Sequence, residues 1–348
     1  MVAKSLSGGE LYFVGEKDPK TGQDTSFVKI GIVRDNDARG TDHRVKEHQT
    51  GNPRRLHVVK VISTPVVERI ETILHGMYAP HRLSGEWFSL DAEKRNAAIA
   101  SASLLAKQAK RAADAINQAE ALKKSVSKQQ SILPLTQHKK LHSSIVALRS
   151  QVSACKDLSA SIASLIEELN ASGVDCSRFL TIQEKKAVER FDEKAFKEKY
   201  AKIWERYQVE SEGFSGVFRV IDPKAQRPDP FVLNEELAVL AKRIQKLIGL
   251  SQEKHTAVDK LHGAYLDLLA AQAPLDWELM LAEDHAKSLL GEASEIEGLF
   301  SWKREVTMKI SLDKDALKQN EPKKFDEFVS LVKTKPAVIV AKDRGYLL

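Results

Sequence analysis

The sequence has little that would cross-link it or place it in a bilayer. Only two cysteines, Cys155 and Cys176, occur in 348 residues, and two packed, reduced thiols are expected rather than a disulfide. No apolar run approaches the length that spans a bilayer, so no membrane partner is expected. Met1-Val2-Ala3-Lys4-Ser5 leads straight toward the first strand-like run without a signal-peptide pattern, which predicts a cytoplasmic protein. His43, His48, His57, His75 and His81 cluster in a stretch without cysteine and without tightly spaced ligand pairs, which argues against zinc. From Asp91 to about Gln130 neither Gly nor Pro occurs. One long helix is expected there, partly coiled coil, basic through Lys107, Lys110, Arg111, Lys123 and Lys124, and closed by Pro134.

What is present points to a folded, soluble chain of two or three domains, with 42% hydrophobic and 29% charged residues. A formal charge of +6 and an isoelectric point near 9.0 favour a polyanionic partner.

Strand-like runs occur at Leu11 to Val14, Phe27 to Val33 and Leu56 to Ile62. Asp18-Pro19-Lys20-Thr21-Gly22 supplies turn chemistry for a hairpin between the first two. Alternation puts Tyr12 and Val14 on one face, and Phe27, Lys29 and Gly31 on one face, so a tyrosine and a lysine can share a sheet face. His43 to Gln49 reads as a helix with Arg44 and His48 one turn apart, ended by Thr50-Gly51-Asn52-Pro53. A second helix carries Ile70, Ile73, Leu74, Met77 and Tyr78 as its apolar stripe. Glu71 falls at the edge of that stripe, with Glu68 and His75 turned farther toward the polar side.

Lys29-Ile30-Gly31, Leu11-Tyr12-Phe13, Arg44, Gln49-Thr50-Gly51-Asn52-Pro53, Glu71, Leu74-His75 and Gly85-Glu86-Trp87-Phe88 follow one another in an order that resembles the GIY-YIG nuclease superfamily. The likeness is to its phage-associated branch with KIG, QTGNP and GEWF segments, and it covers about the first ninety residues. Two departures stand out: the GIY glycine is absent, and Lys29 replaces the YIG tyrosine. The resemblance implies a DNA endonuclease that hydrolyses phosphodiesters with Mg²⁺ or Mn²⁺. Glu71 would be the metal ligand, since hard oxygen ligands suit Mg²⁺, and Tyr12 would take the proton from water. Lys29 would be the cation favouring its ionised form. Arg44 would clamp the scissile phosphate through its planar fork, and His48 would donate a hydrogen bond or relay a proton. Arg54 and Arg55 would add charge along the DNA path.

Farther on the chain repeats. Phe191-Asp192-Glu193-Lys194-Ala195-Phe196-Lys197 resembles Leu312-Asp313-Lys314-Asp315-Ala316-Leu317-Lys318, and Lys140-Leu141-His142 recurs as Lys260-Leu261-His262, which predicts a tandem duplication. Each copy is expected to be a helical hairpin, a strand, a short helix and a closing strand, Gly216 to Ile221 or Ala337 to Ala341. Pro223 to Pro230 reads as the linker between copies. The second copy, with Ile296-Glu297-Gly298-Leu299, Trp302-Lys303-Arg304 and Arg344-Gly345-Tyr346-Leu347, resembles the accessory tail of YqaJ-type phage recombination exonucleases. The first resembles it less closely, with Thr181 where the tryptophan would be.

The expected fold class is therefore α+β. A small antiparallel-sheet nuclease domain (1–92) precedes a helical linker (93–132), a first repeat (133–222), a Pro-rich linker (223–235) and a second repeat (236–348). The expected role is metal-dependent cleavage of duplex or single-stranded DNA in phage recombination or anti-phage defence. The repeats would bind substrate, or a recombination or defence protein, and the Ala-rich helix offers a route to a homo-oligomer. The alternative is a DNA-binding adaptor that keeps the nuclease scaffold with weak catalysis. Nothing in the residues separates DNA from RNA.

Overall fold

In the computed structural model, which describes residues 7–50, 52–183, 187–221, 234–253, 258–332 and 337–345, the turn at Asp18 closes the first hairpin. Asp18 Oδ1 accepts from the backbone N–H groups of Lys20 (2.8 Å) and Thr21 (2.9 Å), and Gly22 adopts a φ of +70° that a side chain would resist. The hairpin strands β1 (Gly9–Lys17) and β2 (Asp24–Arg34) are the centre of a five-stranded sheet. After α1 (Thr41–Gln49), β3 (Arg55–Thr64) and α2 (Val67–Met77), the short strands β4 (Arg82–Ser84) and β5 (Trp87–Ser89) complete it in the order β3-β1-β2-β5-β4, antiparallel throughout.

Strand alternation sorts its two faces. Leu11, Phe13, Val28 and Ile30 pack with Ile70, Ile73 and Leu74 of α2 in the larger core. Tyr12, Val14 and Val33 turn the other way, with Val45 of α1 packed beside them.

Two residues expected on the polar side of α2 are turned inward. Glu68, 3% exposed, accepts hydrogen bonds from Ser7 Oγ (2.6 Å) and Arg34 Nε (2.5 Å). His75 Nε2 donates to the Ile30 carbonyl (3.0 Å), and its ring lies 5.3 Å from that of Phe88. An amphipathic pattern describes one buried face, whereas α2 is covered by the sheet and by helices beyond it.

The long helix expected through Gln130 is instead α3 (Ala92–Arg111), α4 (Ala113–Leu122) and a strand, β6 (Lys128–Ile132). The break at Ala112 (φ −92°, ψ 2°) follows from two different packing partners. Ala98, Ala102, Leu105 and Ala109 of α3 enter the core under the sheet, while α4 packs on a long helix near the other end of the chain, α9 (Val258–Leu290). The helices of this segment thus pack on the sheet core and on α9.

Between them lie α5 (Thr136–Ala171), β7 (Leu180–Gln183), β8 (Val188–Phe191), α6 (Glu193–Lys199), α7 (Ala201–Arg206), β9 (Gln208–Ser215), β10 (Arg219–Val220) and α8 (Glu235–Glu253). After α9 come β11 (Ala293–Ile296), β12 (Phe300–Ser301), β13 (Glu305–Leu312), α10 (Lys314–Asn320), α11 (Pro322–Asp326), β14 (Val329–Val332) and β15 (Ala337–Val340). Where the first repeat was expected to hold a helical hairpin, α5 runs unbroken for 36 residues and packs against α9. The two closing strands do not pair within their own segments. β7 pairs with β15, β8 with β14, β9 with β13 and β10 with β12, each across the two halves and antiparallel.

The crossing contacts are reciprocal. The Asp192 N–H donates to the Phe328 carbonyl and the Asp313 N–H to the Tyr207 carbonyl, both at 2.9 Å. Within each half a histidine makes the equivalent contact: His142 Nε2 donates to the Ile221 carbonyl (2.7 Å) and His262 Nε2 to that of Ala341 (2.9 Å).

Cys155 and Cys176 are buried free thiols, and burial pushes Cys155 up to about 11. Among the described residues no helix is long and apolar enough to cross a membrane. Gly51, the linker from Pro223 to Pro230, and Tyr346-Leu347 fall outside the described residues.

Candidate active site

Tyr12 sits opposite Gly31 in the β1–β2 register, 1% exposed. Two positions along β2 on the same face is Lys29, whose Nζ meets Glu86 Oε2 at 2.5 Å. Glu86 comes from the tight turn between β4 and β5, where Gly85 takes a φ of +57°. Burial alone would raise the Glu86 carboxyl, but the Lys29 hydrogen bond and charge hold it below its usual range. The carboxylate that engages Lys29 was legible in the Gly85-Glu86-Trp87-Phe88 segment; its role was not.

Lys29 was expected as the cation beside Tyr12. The charge of Arg44 favours the ionised phenol of Tyr12, while Lys29 pairs with Glu86. Burial first, then the Glu86 and Glu71 charges, push Tyr12 up to about 12 against the opposing pull of Arg44. The phenol is therefore protonated at neutral pH.

α1 brings Arg44 and His48 to the same place. Arg44 Nη1 donates to Glu47 Oε2 (3.0 Å), whereas its buried Nε has no hydrogen-bond partner among the described residues. His48 Nε2 is likewise buried and without a hydrogen bond there. Burial, then the charges of Lys29 and Arg44, lower the His48 pKa, so the imidazole is neutral near pH 7. Glu71, half-buried on α2, lies near enough for its charge to act on Tyr12. Tyr12, Lys29, Arg44, His48 and Glu71 thus converge, with Glu86 added.

A groove of about 540 Å³ opens beside them, its lining including Glu16, Phe27, His48, Asn52, Arg54 and Trp87. Arg54 is less available than its sequence position implied. It pairs with the buried Glu16 at 2.5 Å and lies 5.6 Å over the Phe27 ring. Arg55 is exposed at the start of β3. His75, held by Ile30 and shifted down to about 4 by burial, supports the sheet from the opposite face. Among the described residues no group of three His, Cys, Asp or Glu side chains is arranged to hold a metal ion. The donor chemistry is that of single carboxylates, which fits a hard ion completing its shell with water and phosphate oxygens.

Residues 10–103 match the model of the T5orf172 domain, a domain found in phage-associated and GIY-YIG-like nucleases. No curated protein and no solved structure matches the chain.

Proposed function

We propose that this protein is a metal-dependent endonuclease of the GIY-YIG type that hydrolyses phosphodiester bonds in DNA. The observation that carries this reading is the convergence of Tyr12, Arg44 and Glu71 near an open groove lined by His48, with two buried nitrogens, Arg44 Nε and His48 Nε2, that have no hydrogen-bond partner among the described residues. A phosphate satisfies both, as a buried guanidinium nitrogen without a partner is costly otherwise.

Arg44 holds the scissile phosphate and offsets the charge that grows on its oxygens as water adds to phosphorus and the bond to the leaving oxygen breaks. Tyr12 orients the water and receives its proton only in the ionised phenolate form, whereas His48, neutral in this site, can receive it near pH 7. Lys29 and Glu86 form the pair that fixes the wall of the site. Glu71 would hold Mg²⁺ or Mn²⁺, which when bound supplies positive charge to the phosphate and the leaving oxygen.

The remaining assignments follow from this role. The crosswise-paired C-terminal segments, which we read as a tandem duplication, bind substrate or a partner protein. A setting in phage recombination or anti-phage defence accords with the T5orf172 match. A second reading, a DNA-binding adaptor with weak catalysis, draws on the Tyr12 phenol, which burial and Glu86 hold in its protonated form.

The test is incubation of wild type and Glu71→Gln with supercoiled plasmid, linear duplex and single-stranded DNA in Mg²⁺, Mn²⁺ or EDTA. Metal-dependent cutting lost in the variant, with DNA affinity kept, is the expected result. Cutting that persists in Glu71→Gln removes Glu71 from the site, and binding without cutting by wild type selects the adaptor.

A further inference from the structure

Away from the Tyr12 face, a second groove of about 570 Å³ runs between the edge strand β3 and α3. Lys60, Lys107, Lys110 and Arg111 line it with Ser63 and Ser103; the rest of its lining is apolar, and it contains no carboxylate. All four cations are exposed. None has a carboxylate within 4.0 Å among the described residues, although Lys94 and Arg95 near the start of the same helix are paired with Asp91 and Asp24. Cations in the last turn of a helix complement its dipole, which accounts for Lys110 and Arg111 alone. It does not account for Lys107 a turn earlier, nor for Lys60 reaching in from a strand.

The groove's place in the sheet gives it a direction. Lys60 lies opposite Phe13 in the β1–β3 register and so points to the face away from Tyr12. Arg54, which lines the first groove, immediately precedes β3. The edge strand therefore links the two grooves, which lie on opposite faces of the sheet, with Arg55 exposed at its start and Lys60 farther along. Duplex DNA is stiff over such a turn, with a persistence length of about 150 base pairs, whereas a single strand follows it freely. The lining has no aromatic side chain on which a base could stack, so contact would be to phosphates and indifferent to sequence.

We propose that the Lys60, Lys107, Lys110, Arg111 groove binds the sugar-phosphate backbone of a single-stranded DNA flank that leaves the Tyr12 groove around the β3 edge. This rests on the nuclease reading only in taking the Tyr12 groove as the place where DNA enters.

The experiment measures fluorescence anisotropy of two labelled hairpins, one blunt and one with a single-stranded tail, against the full chain in EDTA over a range of KCl. Wild type is compared with a variant carrying Gln at all four positions and with one carrying Arg at the three lysines. The Gln variant is expected to bind tailed DNA roughly 10- to 100-fold more weakly, with a salt slope smaller by about 3. It should bind blunt DNA within about twofold of wild type, and the Arg variant should keep the wild-type preference for the tail. Unchanged affinity and slope for tailed DNA would overturn the proposal, and so would an equal loss on the blunt hairpin. Because no cleavage is read, a protein that binds tails through this groove yet never cuts would sink the nuclease reading and leave this one standing.

Discussion

The Tyr12 ring lies directly over Gly31: a Cβ built on Gly31 would stand 2.6 Å from the phenolic oxygen. The glycine is there because the tyrosine needs its space, not because the strand needs an unusual φ. Gly31→Ala is expected to displace the ring and destabilise the fold by about 1–3 kcal/mol. Chemical denaturation reads the second effect, and a cleavage rate well below wild type under conditions where the variant is folded reads the first.

Tyr12, pushed up to about 12, and His48, shifted below its ordinary value, predict opposite pH profiles. If the ionised phenol takes the proton, turnover climbs about tenfold per pH unit above neutrality, and Tyr12→Phe removes the climb. If neutral His48 takes it, turnover is already level above pH 7 and falls only in acid. Turnover at saturating DNA between pH 5 and 9 separates the two.

Arg44 offers a planar fork to the phosphate, and its Nε has no hydrogen-bond partner among the described residues. Arg44→Ala is expected to weaken DNA binding and turnover together. Arg44→Lys is expected to recover binding more than turnover, because a point charge attracts the backbone without the fork's geometry. Separate Kd and kcat measurements check this.

His75 is buried and held down to about 4 in the folded chain, against about 6.5 when unfolded. As pH falls, the unfolded chain takes up this proton first. The contribution is whole above pH 6.5 and is lost progressively down to about 4, on the order of 3 kcal/mol in all. Urea unfolding at pH 7.5, 5.5 and 4 should show the decline, and His75→Asn, which does not titrate, should show a shallower one.

Arg69 on α2 and Asp284 on α9 join the N-terminal sheet unit to the later helices at 2.6 Å, with Asp284 2% exposed. Lys287 lies 3.4 Å from the same carboxylate. Arg69→Met leaves a buried charge with only that weaker partner and is expected to cost about 3–5 kcal/mol. The double variant Arg69→Met with Asp284→Leu should recover much of this in a thermodynamic cycle.

Local pattern carried the N-terminal sheet a long way. Alternation put Tyr12 and Lys29 where they could share a face, the Asp18 to Gly22 cluster predicted its turn, and the three- and four-residue spacing predicted α2. These are properties of a strand, a turn and a helix taken singly, so residue order is enough to read them. Partners distant in sequence were not legible in the same way. Lys29 chose Glu86 over Tyr12, Arg54 was drawn to Glu16, and Glu68 and His75 were covered because α2 has more than one packed side. The Ala-rich stretch divided at Ala112 because its halves pack on different neighbours. The spacing of 120 to 121 residues was visible in the chain, whereas the crosswise pairing of its strands arose only when α5 and α9 packed together. Sequence by itself determined local shape and the stock of chemical groups. Tertiary structure decided which charges met, because a long flexible side chain settles on whichever partner folding brings within reach.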